Sequence, residues 1–226
     1  MGELDTIPVF KCNMCGYCCT LSSISTLPHE EVILRAIGEE LGIKVNIKAG
    51  YTVYEEISDV LIAFSNILEL SNGKCVFLQK NKCIIHNIYK PYICRTFPYV
   101  PRHVRYTIDD VNKYISAEAD YGLSLVCPVV KRDKPILEKH ISNPALVFHY
   151  IKEEYQAMRE AENIRNYLLY LLSKLWREGL VEIKTSRPNA RMVNLYEFLR
   201  YYYPDLPNRL GVDRVIEKVR DCGRAC

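Results

Sequence analysis

Apolar positions follow a helical period in three parts of this chain and shorter, looser patterns between them. Val32, Ile33, Ala36, Ile37 and Leu41 recur at helical spacing after Leu27-Pro28-His29-Glu30-Glu31, where a proline and two acids suit a first turn, and Gly42 ends the run. Asn143-Pro144 reads as the cap of a long helix. Its stripe is Leu146, Tyr150, Ala157, Ala161, Ile164, Leu168, Leu171 and Leu175, broken at Glu153-Glu154 and stopping before Gly179. The default partner of that stripe is the protein's own core, and a partner helix is the second reading. Tyr167 and Tyr170 add aromatic area beside it. Two more helices are predicted over about 193–203 and 211–221, split by Pro204 and Pro207.

Strand patterns are short. Ile7-Pro8-Val9-Phe10-Lys11 is an extended lead, and residues 43–58 alternate too loosely to assign. Val60 to Leu70 predicts a strand entering an Asn72-Gly73 turn, with Lys74-Cys75-Val76-Phe77-Leu78 as its partner and a helix over 59–70 as the alternative. Val104 to Ile108 alternates like a strand, Asp109-Asp110 starts a turn or short helix, and residues 131–142, with Pro135, read as a linker. Val181-Glu182-Ile183 is strand-like and leads to a basic loop, Arg187 to Arg191. The expected class is therefore α+β: a small, irregular, cysteine-rich domain over 1–130, followed by a mostly helical region over 131–226 packed on it.

Composition narrows this. With 226 residues, 49% hydrophobic and 25% charged, the chain can bury a sizeable core. No apolar run approaches the roughly 20 residues of a membrane span, and residues 1–11 lack the basic and apolar regions of a signal peptide. The expectation is a cytoplasmic protein that does not cross a membrane. In a reducing compartment its 10 cysteines point to metal rather than disulfides, hyperthermophile proteins being the exception with which only 4 methionines are compatible. Charge is uneven: residues 1–130 carry 12 Lys and Arg against 14 Asp and Glu, and residues 131–226 carry 18 against 13. This mild basic excess, with Tyr201-Tyr202-Tyr203 as a base-stacking candidate, is the whole of the support for nucleic-acid contact; packing is the ordinary role of such aromatics.

Candidate chemistry concentrates in Cys12-Asn13-Met14-Cys15-Gly16-Tyr17-Cys18-Cys19. Thiolates this crowded are cross-linked or metal-bound. In a C-x-x-C turn two sulfurs can face one ion while backbone N–H groups point at them, and Gly16 supplies a positive φ. Cys18 extends the motif to three thiols that one loop could bring to one centre. Neighbouring side chains diverge, so Cys18 and Cys19 are expected to serve different partners, giving two centres or one centre plus a lone thiol. Cys75, Cys83 after the polar turn Gln79-Lys80-Asn81-Lys82, and Cys94 form a second group. His29 is read as a polar residue of a first helical turn and His86 as lying outside the ligand set. Arg95 either offsets a dianionic tetrathiolate site or pairs with a surface carboxylate. Cys222 and Cys226 are assigned no function.

Together these residues carry a resemblance. Phe10-x-Cys12-x-x-Cys15-Gly16-x-Cys18-Cys19, Cys75-x-Phe77-Leu78, Cys83-x-Ile85-His86, Lys90-Pro91-x-x-Cys94-Arg95-x-Phe97-Pro98 and Cys127-Pro128 resemble the YkgJ-type cysteine-cluster family, also written CxxCxxCC, over about residues 10–128. The chain departs from the pattern in a gap one residue longer between Cys83 and Lys90, and in Val129 where glycine is expected. The resemblance implies zinc or iron chelation by Cys12, Cys15, Cys18, Cys19, Cys75, Cys83, Cys94 and Cys127. One branch of the family resembles flagellin lysine N-methylases, which puts methyl transfer among the activities implied. Yet the chain has no Gly-rich strand-to-helix loop, its first cysteine gap is one residue short of the radical-enzyme triplet, and the bacterial ferredoxin run is absent. Eight thiolates suit two tetrahedral zinc sites, or one iron–sulfur cluster with a smaller site. The first reading is a structural or interaction module held by zinc; the second is an iron–sulfur enzyme of methyl transfer or redox type.

Overall fold

The structure, a computed structural model, describes residues 7–21, 23–139, 144–184 and 189–225. Asn143, Arg187-Pro188, Cys226 and the side chain of Cys222 lie outside the described part. Pro28 opens α1 (Pro28–Glu40), and the Glu30 carboxylate reaches back to accept the Leu27 N–H at 2.8 Å. Ile33, Leu34 and Ile37 make the buried face of α1. Leu41, expected on that stripe, is 37% exposed because the helix ends before it and Gly42 turns the chain at φ 64. His29 lies inside rather than on the surface, 2% exposed, with Nδ1 lacking a hydrogen-bond partner.

Burial draws the His29 imidazole down to about 4 from its ordinary 6.5. The folded state thus disfavours the charged form, and the unfolded chain binds the extra proton as pH falls through 6.5. Stability on this account is intact above pH 6.5 and declines towards pH 4, by about 3 kcal/mol in all. Replacing His29 by phenylalanine should remove that component, read as the difference in urea-unfolding free energy between wild type and variant at pH 7 and pH 4.

Strands β1 (Ile24–Thr26), β2 (Ile47–Ala49) and β5 (Asn66–Leu68) form one antiparallel sheet, ordered β1-β5-β2. A second sheet runs β10 (Ile183–Lys184), β3 (Thr52–Glu55), β4 (Val60–Ala63), β11 (Arg191–Asn194), antiparallel except that β11 lies parallel to β4. The apolar run 60–70 is thus two strands in different sheets. The Asn72-Gly73 turn forms, with φ 52 and 73, but residues 74–78 do not pair with the run because β1 and β2 occupy both edges of β5. Glu55, fully buried, accepts the N–H groups of Ile57, Ser58 and Glu182 at 2.7–2.9 Å and so fixes the turn after β3 against the C-terminal half.

Two hairpins complete the β structure. β6 (Leu78–Gln79) and β7 (Lys82–Cys83) flank a turn with Lys80 and Asn81 at positive φ. β8 (Tyr99–Asp109) and β9 (Tyr114–Leu123) form a long ribbon whose buried Ile115 and Ala117 face inward. Between the hairpins lies α2 (Tyr92–Thr96), a single turn that carries Cys94.

Residues 131–142, read above as a linker, belong up to Lys139 to α3 (Pro128–Lys139). Pro135 sits inside it, and burial of Val129, Val130 and Leu137 offsets the missing N–H bond. The long stripe is two helices, α4 (Pro144–Tyr150) and α5 (Lys152–Arg177), with Ile151 non-helical between them. α5 lies against α2 and β9, and Leu168, Leu171, Leu172, Leu175 and Trp176 bury into the main core with Ile62, Phe64 and Phe77. The chain closes with α6 (Leu195–Tyr202), α7 (Leu206–Arg209) and α8 (Val212–Ala225), of which α6 and α8 pack on α1. A smaller core joins Ile7 and Phe10 to Cys127, Val130, Leu146 and Tyr150, and the Phe10 N–H donates to the Tyr150 carbonyl at 2.7 Å.

Candidate metal centre

Gly16 sets the geometry of the cysteine loop. Its φ is 71, it precedes the 3-10 turn Tyr17–Thr20, and its carbonyl accepts the Cys19 N–H at 3.0 Å. A Cβ placed on it would stand 2.9 Å from both the Asn81 carbonyl oxygen and Leu78 Cδ1, so the loop rests on the β6–β7 turn. The Cys19 carbonyl in turn accepts the Cys75 N–H at 2.8 Å. These contacts hold the loop onto the segment that carries Cys75 and Cys83. Gly16→Ala meets both a left-handed φ and a backbone clash, so a loss of about 2–4 kcal/mol in thermal unfolding is expected, together with weaker metal retention.

Among the described side chains eight thiols are free: Cys12 and Cys15 exposed, Cys18, Cys83 and Cys94 partly buried, Cys19, Cys75 and Cys127 buried. Their mutual electrostatics sort them into two sets. The Cys19 thiol donates a hydrogen bond to Cys18, which, with Lys90 nearby, brings Cys18 down to about 7 from an ordinary 9 against the opposing effect of burial. Cys19 is pushed up as the donor of that bond, by burial, and by the charges of Cys18, Cys75 and Cys94. Burial raises Cys75 and Cys83, each of which also feels Cys18. Cys94 retains part of its residue surface, yet its thiol is enclosed: burial first, then Cys18, Cys75, Glu30 and Cys83, pushes it well up. Cys18, Cys19, Cys75, Cys83 and Cys94 thus form one neighbourhood. Cys127 is raised by burial and by Cys12 and Cys15, which form the other.

Backbone N–H groups address the sulfurs in both sets. The Met14 N–H donates to Cys12 Sγ at 3.4 Å, Phe77 to Cys75, Ile85 and His86 to Cys83, and Val129 and Val130 to Cys127. Cys127 caps α3, with its carbonyl accepting the Lys131 N–H at 2.9 Å. Such bonds favour the thiolate, the form that ligates metal. Among the described residues no group of three or more His, Cys, Asp or Glu side chains could hold a metal ion with the side chains as they stand. The donors suit a thiophilic ion in kind and number.

The other candidates lie apart. Arg95 pairs with Glu160 at 2.8 Å and sits over the Tyr92 ring at 4.6 Å, so its bound partner is a carboxylate. His86 meets Cys83 only through its backbone N–H. Several basic side chains after residue 131 are paired with acids of the same stretch, as in Arg165–Glu162, Lys184–Glu182, Arg200–Glu197 and Arg209–Asp205. Tyr201 is 83% exposed, whereas Tyr202 packs on Phe198. Glu30, which accepts from Leu27, Tyr89 and Tyr92 and bears on Cys94, was not singled out by sequence reasoning, because an acid in a first helical turn looks like an ordinary surface residue.

Among known families, a model described as a "Putative zinc- or iron-chelating domain", CxxCxxCC, matches residues 11–121. Seven of the eight cysteines fall inside this span, and Cys127 lies just beyond it. No curated protein and no solved structure matches the chain.

Proposed function

With the CxxCxxCC family model matching residues 11–121, we propose that this protein is a metal-binding module with two thiolate centres. Cys18, Cys75, Cys83 and Cys94 hold the first ion, and Cys19 donates a hydrogen bond to Cys18 from beside it. Cys12, Cys15 and Cys127 make the second. The observation that carries this reading is the way each of Cys75, Cys83 and Cys94 feels the charge of Cys18, while Cys127 feels Cys12 and Cys15. Zinc, when bound by four thiolates, supplies cross-linking without redox chemistry. The four residues then tie the loop, the β6–β7 hairpin and α2 into one body, as a structural or interaction module requires. A reducing, cytoplasmic setting belongs to this reading, since it keeps such thiols available.

The second set favours an alternative. Its three thiols, two of them exposed, leave a fourth position for a small molecule, as reactive metal sites do. On that reading the protein is an iron–sulfur enzyme.

Protein purified without oxygen decides between the two. A colourless sample with about two zinc ions per chain is the expected result. Iron with sulfide and broad absorption near about 400 nm would move the assignment to the enzyme. A preparation without metal, and unable to take up zinc after reduction, would overturn both.

A further inference from the structure

A cavity of about 710 Å³ opens beside α2, on the side lined by Tyr92, Ile93 and Thr96. This volume is that of a small-molecule site. Tyr51, 42% exposed, stacks on Tyr106 with centroids 4.5 Å apart and planes at 17°, and Phe64 packs against both. These rings form an aromatic wall.

The charges at the cavity are already compensated. Arg165 Nη1 donates to Glu162 at 2.5 Å, and Glu162 also accepts the Tyr121 hydroxyl. Glu30 accepts three donors at 2.7–2.8 Å. An ionic ligand would therefore find no unpaired counter-ion among these groups to offset the cost of its desolvation. What remains for a ligand is ring surface and the hydroxyls of Ser23, Ser25 and Thr96. Thr96 Oγ1 spends its proton on the Ile93 carbonyl and keeps lone pairs to accept with.

We propose that this cavity binds an uncharged, planar aromatic molecule carrying a hydroxyl or comparable polar edge, its ring held against the tyrosine wall. The site stands apart from the metal reading: none of its lining residues is a proposed ligand.

The probe is 2-naphthol, followed by its own fluorescence and by saturation-transfer NMR on the protein as purified, with 2-naphthoate as the anionic counterpart. Saturable binding of one 2-naphthol per chain is expected, with 2-naphthoate at least about tenfold weaker. Ser25→Trp, at an exposed position on the cavity lining, should abolish the saturable signal while the circular dichroism stays native; Ser23→Trp serves if that variant misfolds. Tyr106→Leu should weaken binding about tenfold. Absence of saturation in wild type, unchanged affinity in a folded tryptophan variant, or 2-naphthoate binding as tightly as 2-naphthol would each overturn the proposal.

Discussion

Glu30→Ala is expected to lower stability by about 4–6 kcal/mol, because it takes the acceptor from one buried and two partly buried donors at once. The carboxylate is fully buried and accepts the Leu27 N–H at the start of α1, the Tyr92 N–H at the start of α2, at 2.7 Å, and the Tyr89 hydroxyl at 2.8 Å. It is the polar bolt between α1 and the turn that carries Cys94. Burial is the largest influence on its pKa and moves it up, against the pull of those donors and Arg95. A neutral amide is therefore a milder change, and Glu30→Gln should cost about 2 kcal/mol, mainly through the acceptor that becomes an NH2 group. In a protein of this size the alanine variant should melt about 10–20 °C lower. An alanine variant within about 1 kcal/mol of wild type in urea would show that the three donors find other partners.

The second large effect concerns Cys94→Ser. In metal-loaded protein the variant should lose one equivalent of metal and melt more than about 10 °C below wild type, because the free energy of binding to the folded site is also folding free energy. In excess chelator most of that gap should close, leaving only the cost of an enclosed hydroxyl, about 1–2 kcal/mol. Cys12→Ser, at an exposed position of the other set, should leave the first equivalent in place. If the double variant Cys12→Ser/Cys94→Ser lost no more metal than either single variant, the thiols would form one centre rather than two.

Local features of this fold were legible where one residue type has one physical use. Gly16 and Gly42 take the positive φ that their places require, Pro28 opens a helix, and Lys80-Asn81 makes the tight turn. The cysteine spacing led to the family whose model matches residues 11–121. What escaped is what depends on distant segments. The placement of Cys18 near Cys75, Cys83 and Cys94 depends on how the loop rests on the β6–β7 turn, which no spacing encodes. Glu30 and Glu55 look like surface acids and are buried hubs. Pro135 suggested a linker, because the apolar contacts that stabilise α3 come from Leu146 and Tyr150, farther along the chain. β9 left a fainter trace, Ile115 and Ala117 alternating with polar neighbours. The cavity, assembled from β1, β5, α2, β8 and α5, left none.

The second sheet bears on the order of events at the ribosome. Its inner hairpin, β3 and β4, emerges early in synthesis, whereas both flanking strands, β10 and β11, come from residues 183–194. Until those have left the exit tunnel, Val53, Val60 and Ile62 belong to a hairpin with two bare edges, open to pairing with another chain. All the proposed ligands have by then been made, so on that assignment a nascent chain can capture metal before its sheet is closed. A fragment ending near residue 130 would freeze that intermediate, and its expected fate is association through the exposed strands even with all the proposed ligands present.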